Sequence, residues 1–114
     1  MSEHDEQKLV VQWFRVQYPK HDKCLWAIPN GGARHIGTAI KLKREGVVAG
    51  VADLFLMIPK AQWHGMFIEM KAKGGKLQPN QKEFLGIAVE NGYNGIVCYG
   101  FEEAKKQIRE YLSL

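Results

Sequence analysis

Apolar and polar residues follow two different periods along the chain, and each period predicts a type of secondary structure. Apolar residues recur at helical spacing between residues 9 and 16, after a Ser2–Asp5 pair that is typical of a helix N-cap, and Pro19 ends this helix. Short runs rich in branched and aromatic side chains predict strands at 24–28, 50–58, 66–71 and 95–99. Further helical patterns lie at 34–44, 79–91 and 101–112.

This order of elements predicts an α/β fold with one mixed sheet of about four strands, flanked by helices. Pro59 and Gly65 bracket a short polar loop, so the second and third strands should form an antiparallel hairpin. The helix at 79–91 should carry the chain to a parallel neighbour strand. The helix at 34–44 is expected to bury its apolar residues in part, namely Ile36, Ile40 and Leu42.

Three charged residues lie inside the apolar hairpin strands. Side chains alternate between the two faces of a strand, so Glu69 and Lys71 share a face with Phe67, while Asp53 shares a face with Phe55. An ionised group in such a strand is costly unless it is paired or bound to a metal. Two carboxylates that hold a hard cation, and a lysine that positions water, suit metal-assisted phosphodiester cleavage. A structural ion pair is the other interpretation.

The order of Asp53, a hairpin and Glu69-Met70-Lys71 resembles the signature of the PD-(D/E)xK nucleases, with Ala52 in place of the usual proline. The flanking residues EGVVAGVADL, IPNGG and KLQPNQ are similar to those of the VRR-NUC family. That branch occurs as small stand-alone phage proteins and as the catalytic domain of larger DNA-repair nucleases. The resemblance extends over nearly the whole chain and implies a restriction-endonuclease-like sheet within a single domain, residues 1–114.

The resemblance also implies further site residues. In the family, a glutamate of the N-terminal helix completes the metal site. Glu6 is preferred because it lies at the edge of the apolar helix face, and Glu3 is the alternative, although both could be solvated first-turn acids. A glutamine at the position of Gln81 lies close to the active site. The backbone carbonyl of Met70 is expected to help the two strand carboxylates bind Mg²⁺ or Mn²⁺.

Basic residues flank the predicted carboxylate site. The helix at 34–44 is basic and follows a flexible Asn-Gly-Gly turn, and the loop at 73–76 is basic and rich in glycine. Such residues either form solvated surface or follow DNA phosphates. The candidate DNA-contacting residues are Asn30, Arg34, His35, Lys41, Lys73 and Lys76.

The composition is that of one globular domain of 114 residues, with 46% hydrophobic and 25% charged residues. The net charge of +4 is compatible with a polyanionic partner. No run is long enough to span a membrane and the N-terminus is polar, so we expect a cytoplasmic protein of a phage or its bacterial host. The two cysteines, Cys24 and Cys98, lie in apolar runs and are expected to be reduced, buried thiols.

These observations predict a metal-dependent DNA endonuclease that uses Mg²⁺ or Mn²⁺. The resemblance implies cleavage of branched DNA, such as Holliday junctions, that leaves a 5′-phosphate. It also implies a homodimer, since a chain of this size has room for one site and symmetric cutting of two strands needs two. The alternative is a non-catalytic DNA-binding module, in which carboxylates beside the phosphate path would be unfavourable without a metal.

Overall fold

The structure is a computed structural model that describes residues 1–29 and 36–114. The elements before the hairpin are helix α1 (Glu3–Gln17), a 3₁₀ helix (Pro19–Cys24), strand β1 (Leu25–Ala27) and helix α2 (Ile36–Arg44). The remaining elements are β2 (Leu54–Leu56), β3 (Met66–Lys71), α3 (Pro79–Glu90), β4 (Asn94–Tyr99) and α4 (Phe101–Leu112). In the two described ranges, no helix is both long and apolar enough to cross a bilayer.

The four strands form one mixed sheet in the order β1-β2-β3-β4. Strands β1 and β2 are antiparallel, β2 and β3 form the antiparallel hairpin, and β3 and β4 are parallel, joined through α3. The predicted mixed sheet, its hairpin and its parallel crossover are therefore confirmed. The 3₁₀ helix was not predicted, because its residues carry no apolar period that would reveal a helix.

Helices α1 and α4 cover one face of the sheet and enclose the main hydrophobic core. Alternate residues of β3 point into this layer, so every second side chain of the strand is apolar and fully buried. The core residues from the helices are Val10, Phe14, Ala104, Ile108 and Tyr111, and those from the strands are Leu25, Leu54, Leu56, Met66, Ile68, Met70 and Cys98. Helix α3 lies against the opposite face, where Phe84 packs edge-to-face on Phe67.

Strand β2 is much shorter than the predicted run at 50–58. Gly50 adopts a left-handed conformation with φ 90°, and Asp53 lies in a bend immediately before the strand, so the prediction that Asp53 is a strand residue is wrong. The ladder with β3 ends at the pair Leu54–Ile68. Beyond that pair, Asp53 Oδ2 accepts a hydrogen bond from the backbone N–H of Met70, so a side chain replaces the next backbone acceptor.

Two helix predictions differ in their outcome. The Ser2–Asp5 capping box is present at the start of α1, with Asp5 N donating to Ser2 Oγ over 3.1 Å. Helix α2 is much less buried than predicted: Ile40 is 49% exposed and only Leu42 is half-buried among its described side chains. Its basic residues Lys41, Lys43 and Arg44 are exposed, and none of its described side chains belongs to the main core.

Candidate active site

A cavity of about 450 Å³ opens where β2 and β3 separate, between the first turns of α1 and α3. The first turn of α1, the end of β3 and the first turn of α3 therefore meet the segment before β2 at this cavity. The residues that line the cavity are Glu3, His4, Ala49, Gly50, Val51, Asp53, Glu69, Gln78, Asn80 and Gln81. The structure thus brings together Asp53, Glu69 and Gln81, which the sequence analysis named as site residues.

The Asp53 carboxylate is fixed by the backbone of β3. Its Oδ2 atom lies 2.7 Å from the N–H of Met70, which donates the hydrogen bond. In a strand, the N–H and C=O of one residue point toward the same neighbouring strand. The Met70 carbonyl therefore points toward the Asp53 side of β3, which is the placement that its predicted role requires.

The Glu69 carboxyl is held in the opposite wall of the gap. Glu69 is only 2% exposed. Burial, together with the hydrogen bond and the negative charge of Asp53, raises the pKa of Glu69 to about 8, although Lys71 acts in the opposite direction. Gln81 Nε2 donates to Glu69 Oε2 over 3.4 Å, and Gln81 Oε1 accepts from the Gln78 N–H over 2.8 Å. The first turn of α3 therefore orients the carboxyl.

Lys71 is a buried cation beside this pair. It is 6% exposed, and its charge is close enough to Glu69 to act on that carboxyl. Within the part of the chain that the structure describes, the Lys71 side chain makes no hydrogen bond. Its backbone carbonyl accepts from Gly100 N over 3.1 Å, which ties the end of β3 to the start of α4. Since no buried side-chain nitrogen of the described residues lacks a hydrogen-bond partner, the Lys71 ammonium reaches solvent at the cavity while its stem is buried. A cation in this position suits a site that receives an anion.

The two glutamates of α1 lie in different places. Glu3 lines the cavity, and its negative charge is one of the influences that raise the pKa of Glu69. Glu6 Oε2 instead accepts a hydrogen bond from the N–H of Phe101 at 2.5 Å, at the start of α4. The structure therefore places the alternative, Glu3, at the cavity and Glu6 at the start of α4. Which of the two completes the site stays a prediction, and their positions favour Glu3. Glu6 lies one turn further along α1, where α4 supplies its partner.

Gly50 allows the wall of the cavity to form. Its φ of 90° favours glycine, and a Cβ atom built on it would lie 2.5 Å from the carbonyl oxygen of Asn80. The segment before β2 is thus pressed directly against the first turn of α3. Sequence reasoning missed His4, Gln78 and Asn80 as lining residues; the signal for the last two was their place at the start of the helix opened by Pro79.

The predicted DNA-contacting residues fall into two groups. Asn30, Arg34 and His35 lie outside the described residues. The other three side chains are exposed, namely Lys41 on α2 and Lys73 and Lys76 in the loop between β3 and α3. That loop joins β3 to α3, the helix whose Gln81 donates to Glu69, and the role of its lysines stays a prediction.

The described residues contain no group of three or more histidine, cysteine, aspartate or glutamate side chains close enough to form a metal site by themselves. The donor set at the cavity is instead made of oxygen atoms: two adjacent carboxyl groups and a backbone carbonyl, with a third carboxylate at the rim. Hard divalent cations such as Mg²⁺ take oxygen ligands of this kind and commonly keep several waters.

A mixed sheet whose central strand ends in Glu-x-Lys, opposite an aspartate at a strand fork, defines a nuclease-like α/β domain. The chain belongs to the VRR-NUC domain family, whose family model matches residues 1–102. A solved structure titled "VRR_NUC domain protein" is similar, with a TM-score of 0.87 and 28% sequence identity over 99% of this chain and 89% of that chain. No curated protein matches the sequence. At the level of the family, the chain is a DNA nuclease domain with DNA as its partner.

Proposed function

We propose that this protein is a metal-dependent, structure-selective DNA endonuclease that uses Mg²⁺ or Mn²⁺ and cleaves branched DNA such as Holliday junctions. The observation that carries the proposal is the adjacent pair of carboxyls, Asp53 and Glu69, with a buried lysine two residues further along the same strand. A DNA-binding module without catalysis has no use for this arrangement, because acids at the phosphate path repel DNA.

A divalent cation fits the residues that are present. Besides burial, the hydrogen bond and the negative charge of Asp53 raise the pKa of Glu69, because that charge repels the ionised form of Glu69. A cation between them would remove that repulsion. Asp53, Glu69 and the Met70 carbonyl would hold it, and Glu3 at the rim supplies a further oxygen ligand directly or through water. When bound, the cation polarises the phosphate and lowers the pKa of a coordinated water.

The remaining groups of the chain orient these ligands and the substrate. The Met70 N–H fixes Asp53, and the Gln81 amide fixes Glu69, so neither carboxylate must reorganise during the reaction. The Lys71 ammonium binds a non-bridging phosphate oxygen, where negative charge increases in the transition state, and positions the attacking water. Water adds to phosphorus, the P–O3′ bond breaks, and the 3′ oxygen takes up a proton. The products are a 5′-phosphate and a 3′-hydroxyl.

Symmetric cutting of a junction requires two such sites, which a homodimer would supply. Apolar side chains on α2 and the segment after it support a second copy as partner, since Ile40, Val47 and Val48 are 49%, 41% and 58% exposed. Val47 and Val48 line a cavity of about 330 Å³ together with Pro29, Ala39, Leu42, Lys43 and Ala49. A dimer by light scattering that becomes monomeric in Val48→Glu is the expected result, and a wild-type monomer at micromolar concentration contradicts it.

The proposal is tested by cleavage of labelled four-way junction, flap and linear duplex DNA. Each substrate is incubated with Mg²⁺, with Mn²⁺ and with EDTA, using the wild type and Lys71→Ala. We expect cutting that requires the metal, that falls by roughly 100- to 1000-fold in Lys71→Ala, and that gives paired nicks on the junction. Lys106→Ala, at an exposed position of α4, is the matched control for loss of one positive charge.

Three other results would each contradict a different part of the proposal. Cutting of linear duplex alone would contradict selectivity for branched DNA while retaining the nuclease. Cutting in EDTA would contradict the need for a metal. Salt-sensitive binding of all three substrates without any cutting would instead make the protein a DNA-binding module.

A further inference from the structure

A second cavity, of about 380 Å³, follows the outer surface of α1. Its lining residues are His4, Gln7, Lys8, Val11, Gln12 and Arg15, which recur every three or four positions and so occupy one side of the helix. We name this surface the α1 groove. His4 lines both the α1 groove and the carboxylate cavity, so the two surfaces are continuous.

The α1 groove is cationic, although three acids occur in the first turn of the same helix. Among its lining residues none is acidic, and Lys8 and Arg15 are exposed. Each acid of the first turn has a partner or a place elsewhere: Glu3 lines the carboxylate cavity, Asp5 belongs to the Ser2 capping box, and Glu6 accepts from the Phe101 N–H at the start of α4. The helix therefore directs its acids away from the groove.

The charges of the groove remain available to a ligand. Lys8 lies near Asp5, whose pKa is lowered first by the hydrogen bonds of Ser2 and only then by the Lys8 charge. Arg15 makes no ion pair with any residue that the structure describes. Gln7 and Gln12 add amide donors between the two cations. Two exposed cations and two amides, with no acid among the residues that line the groove, are complementary to a polyanion.

We propose that the α1 groove binds the phosphate backbone of the DNA arm that leaves the active site. The inference rests on the proposed nuclease function and adds a surface outside the basic loop and α2. From His4 to Arg15 the helix advances 11 residues, or about 16 Å at 1.5 Å per residue. That length corresponds to about five base steps of 3.4 Å. The groove therefore extends the bound substrate by about half a turn of duplex.

The test measures DNA affinity, which does not depend on cleavage. Binding of labelled junction and duplex is followed by anisotropy between 50 and 200 mM salt, once in EDTA and once with Ca²⁺. Lys8→Ala/Arg15→Ala is compared with the wild type and with Lys60→Ala/Lys106→Ala, which removes the same charge from the far hairpin loop and from α4. Thermal melting verifies that all three proteins are folded.

We expect the groove variant to lower the slope of log affinity against log salt by about 1.8, since two phosphate contacts are lost. The change in affinity between 50 and 200 mM salt then shrinks by about 12-fold. The control variant should keep the wild-type slope within about half a unit. An unchanged slope in the groove variant, or an equal loss in the control, overturns the inference.

A substrate series adds a readout that a general charge effect would not change. Shortening one arm to fewer than about five base pairs beyond the cleaved phosphate should weaken wild-type binding and leave the groove variant nearly unaffected. Both arms are shortened in turn, because only one of them can follow α1. Equal sensitivity of the two proteins to both arms contradicts the inference. If the wild type cleaves normally in that case, the proposed function stands and only the groove is refuted.

Discussion

The carboxylate cavity and the apolar layer between the sheet and helices α1 and α4 are both built from α1 and β3. They differ in the surroundings that they give to an acidic side chain. In the layer, alternate side chains of β3 are apolar and fully buried, and the acid at its margin, Glu6, accepts a hydrogen bond at the start of α4, where negative charge is favoured. In the cavity, Glu69 is just as buried but lies against a second carboxyl.

The two regions therefore contribute to the free energy of the folded state with opposite signs. The layer lowers the free energy of the folded state, because it buries apolar side chains and because Glu6 at its margin satisfies a backbone donor. The cavity raises that free energy, because an ionised Glu69 is both desolvated and repelled by Asp53. Perturbed pKa values cluster at functional sites, so the raised pKa of Glu69 supports the proposal that this cavity is the active site.

The largest expected effect follows from removing the charge of Asp53. Asp53→Asn keeps an oxygen that accepts from the Met70 N–H, so the fork between β2 and β3 should keep its shape. Cleavage should fall by roughly 100- to 1000-fold, while the melting temperature stays the same or rises, because Glu69 loses its repelling neighbour. Single-turnover cleavage and thermal melting measure the two quantities.

Asp22→Asn is the matched control for Asp53→Asn, because Asp22 is exposed on the 3₁₀ helix and away from the cavity. It should leave both quantities unchanged. A variant Asp53→Asn that cleaves like the wild type would show that the cavity is not the catalytic site.

The next effect separates the two glutamates of α1. Glu3→Ala should lower cleavage about tenfold or more and change the free energy of unfolding by less than about 0.5 kcal/mol, because Glu3 is exposed. Glu6→Ala should lower the free energy of unfolding by about 1 kcal/mol, since the Phe101 N–H loses its acceptor. Denaturant unfolding and cleavage per folded molecule measure both. The reverse pattern would support Glu6 as the residue that completes the site.

The sequence predicts different parts of this site with different success. The spacing of Glu69 and Lys71 is local, because a strand places alternate residues on one face whatever packs around it. The choice between Glu3 and Glu6 is not local: it depends on where the first turn of α1 lies over the sheet, which the packing of Val10 and Phe14 sets. Helical periodicity indicates a buried face but not which end of it meets the cavity.

The same reasoning explains the errors in the strands. The apolar run at 50–58 predicted a long strand, but Gly50 must meet the Asn80 carbonyl, and the Asp53 side chain takes the hydrogen bond that a longer β2 would supply. Both are contacts between distant parts of the chain. Gln81 could be predicted in part. Its place in the first turn of α3 follows from Pro79, but its hydrogen bond to Glu69 depends on how the β3–α3–β4 crossover brings α3 back against β3.

A smaller effect concerns pH. The pKa of Glu69 is raised from 4.5 to about 8, so between these values the folded protein keeps a proton that the unfolded chain has lost. The free energy of unfolding of the metal-free protein should therefore fall as the pH rises across this range. Glu69→Gln cannot ionise and should melt higher than the wild type at pH 8 but not at pH 5. Melting in EDTA at both pH values measures this.

Glu83→Gln is the control for the pH effect, because Glu83 is exposed on α3 and the substitution is the same. It should follow the wild type at both pH values. If Glu69→Gln also follows the wild type, the cavity is better hydrated than its geometry indicates, and the contrast with the apolar layer weakens.

The smallest effect tests whether the apolar layer excludes solvent and reagents in the native protein, unlike the solvent-accessible cavity. Cys98 pairs in register with Met70, is fully buried, and has a pKa that burial raises to about 12. Since the thiolate is the reactive form, Cys98 should resist a maleimide at pH 8, whereas the half-buried Cys24 should react. Mass spectrometry should find one label on the native protein and two in denaturant. Cys24→Ser should then show none until it unfolds, and native labelling of Cys98 would mean that the layer opens on the timescale of the reaction.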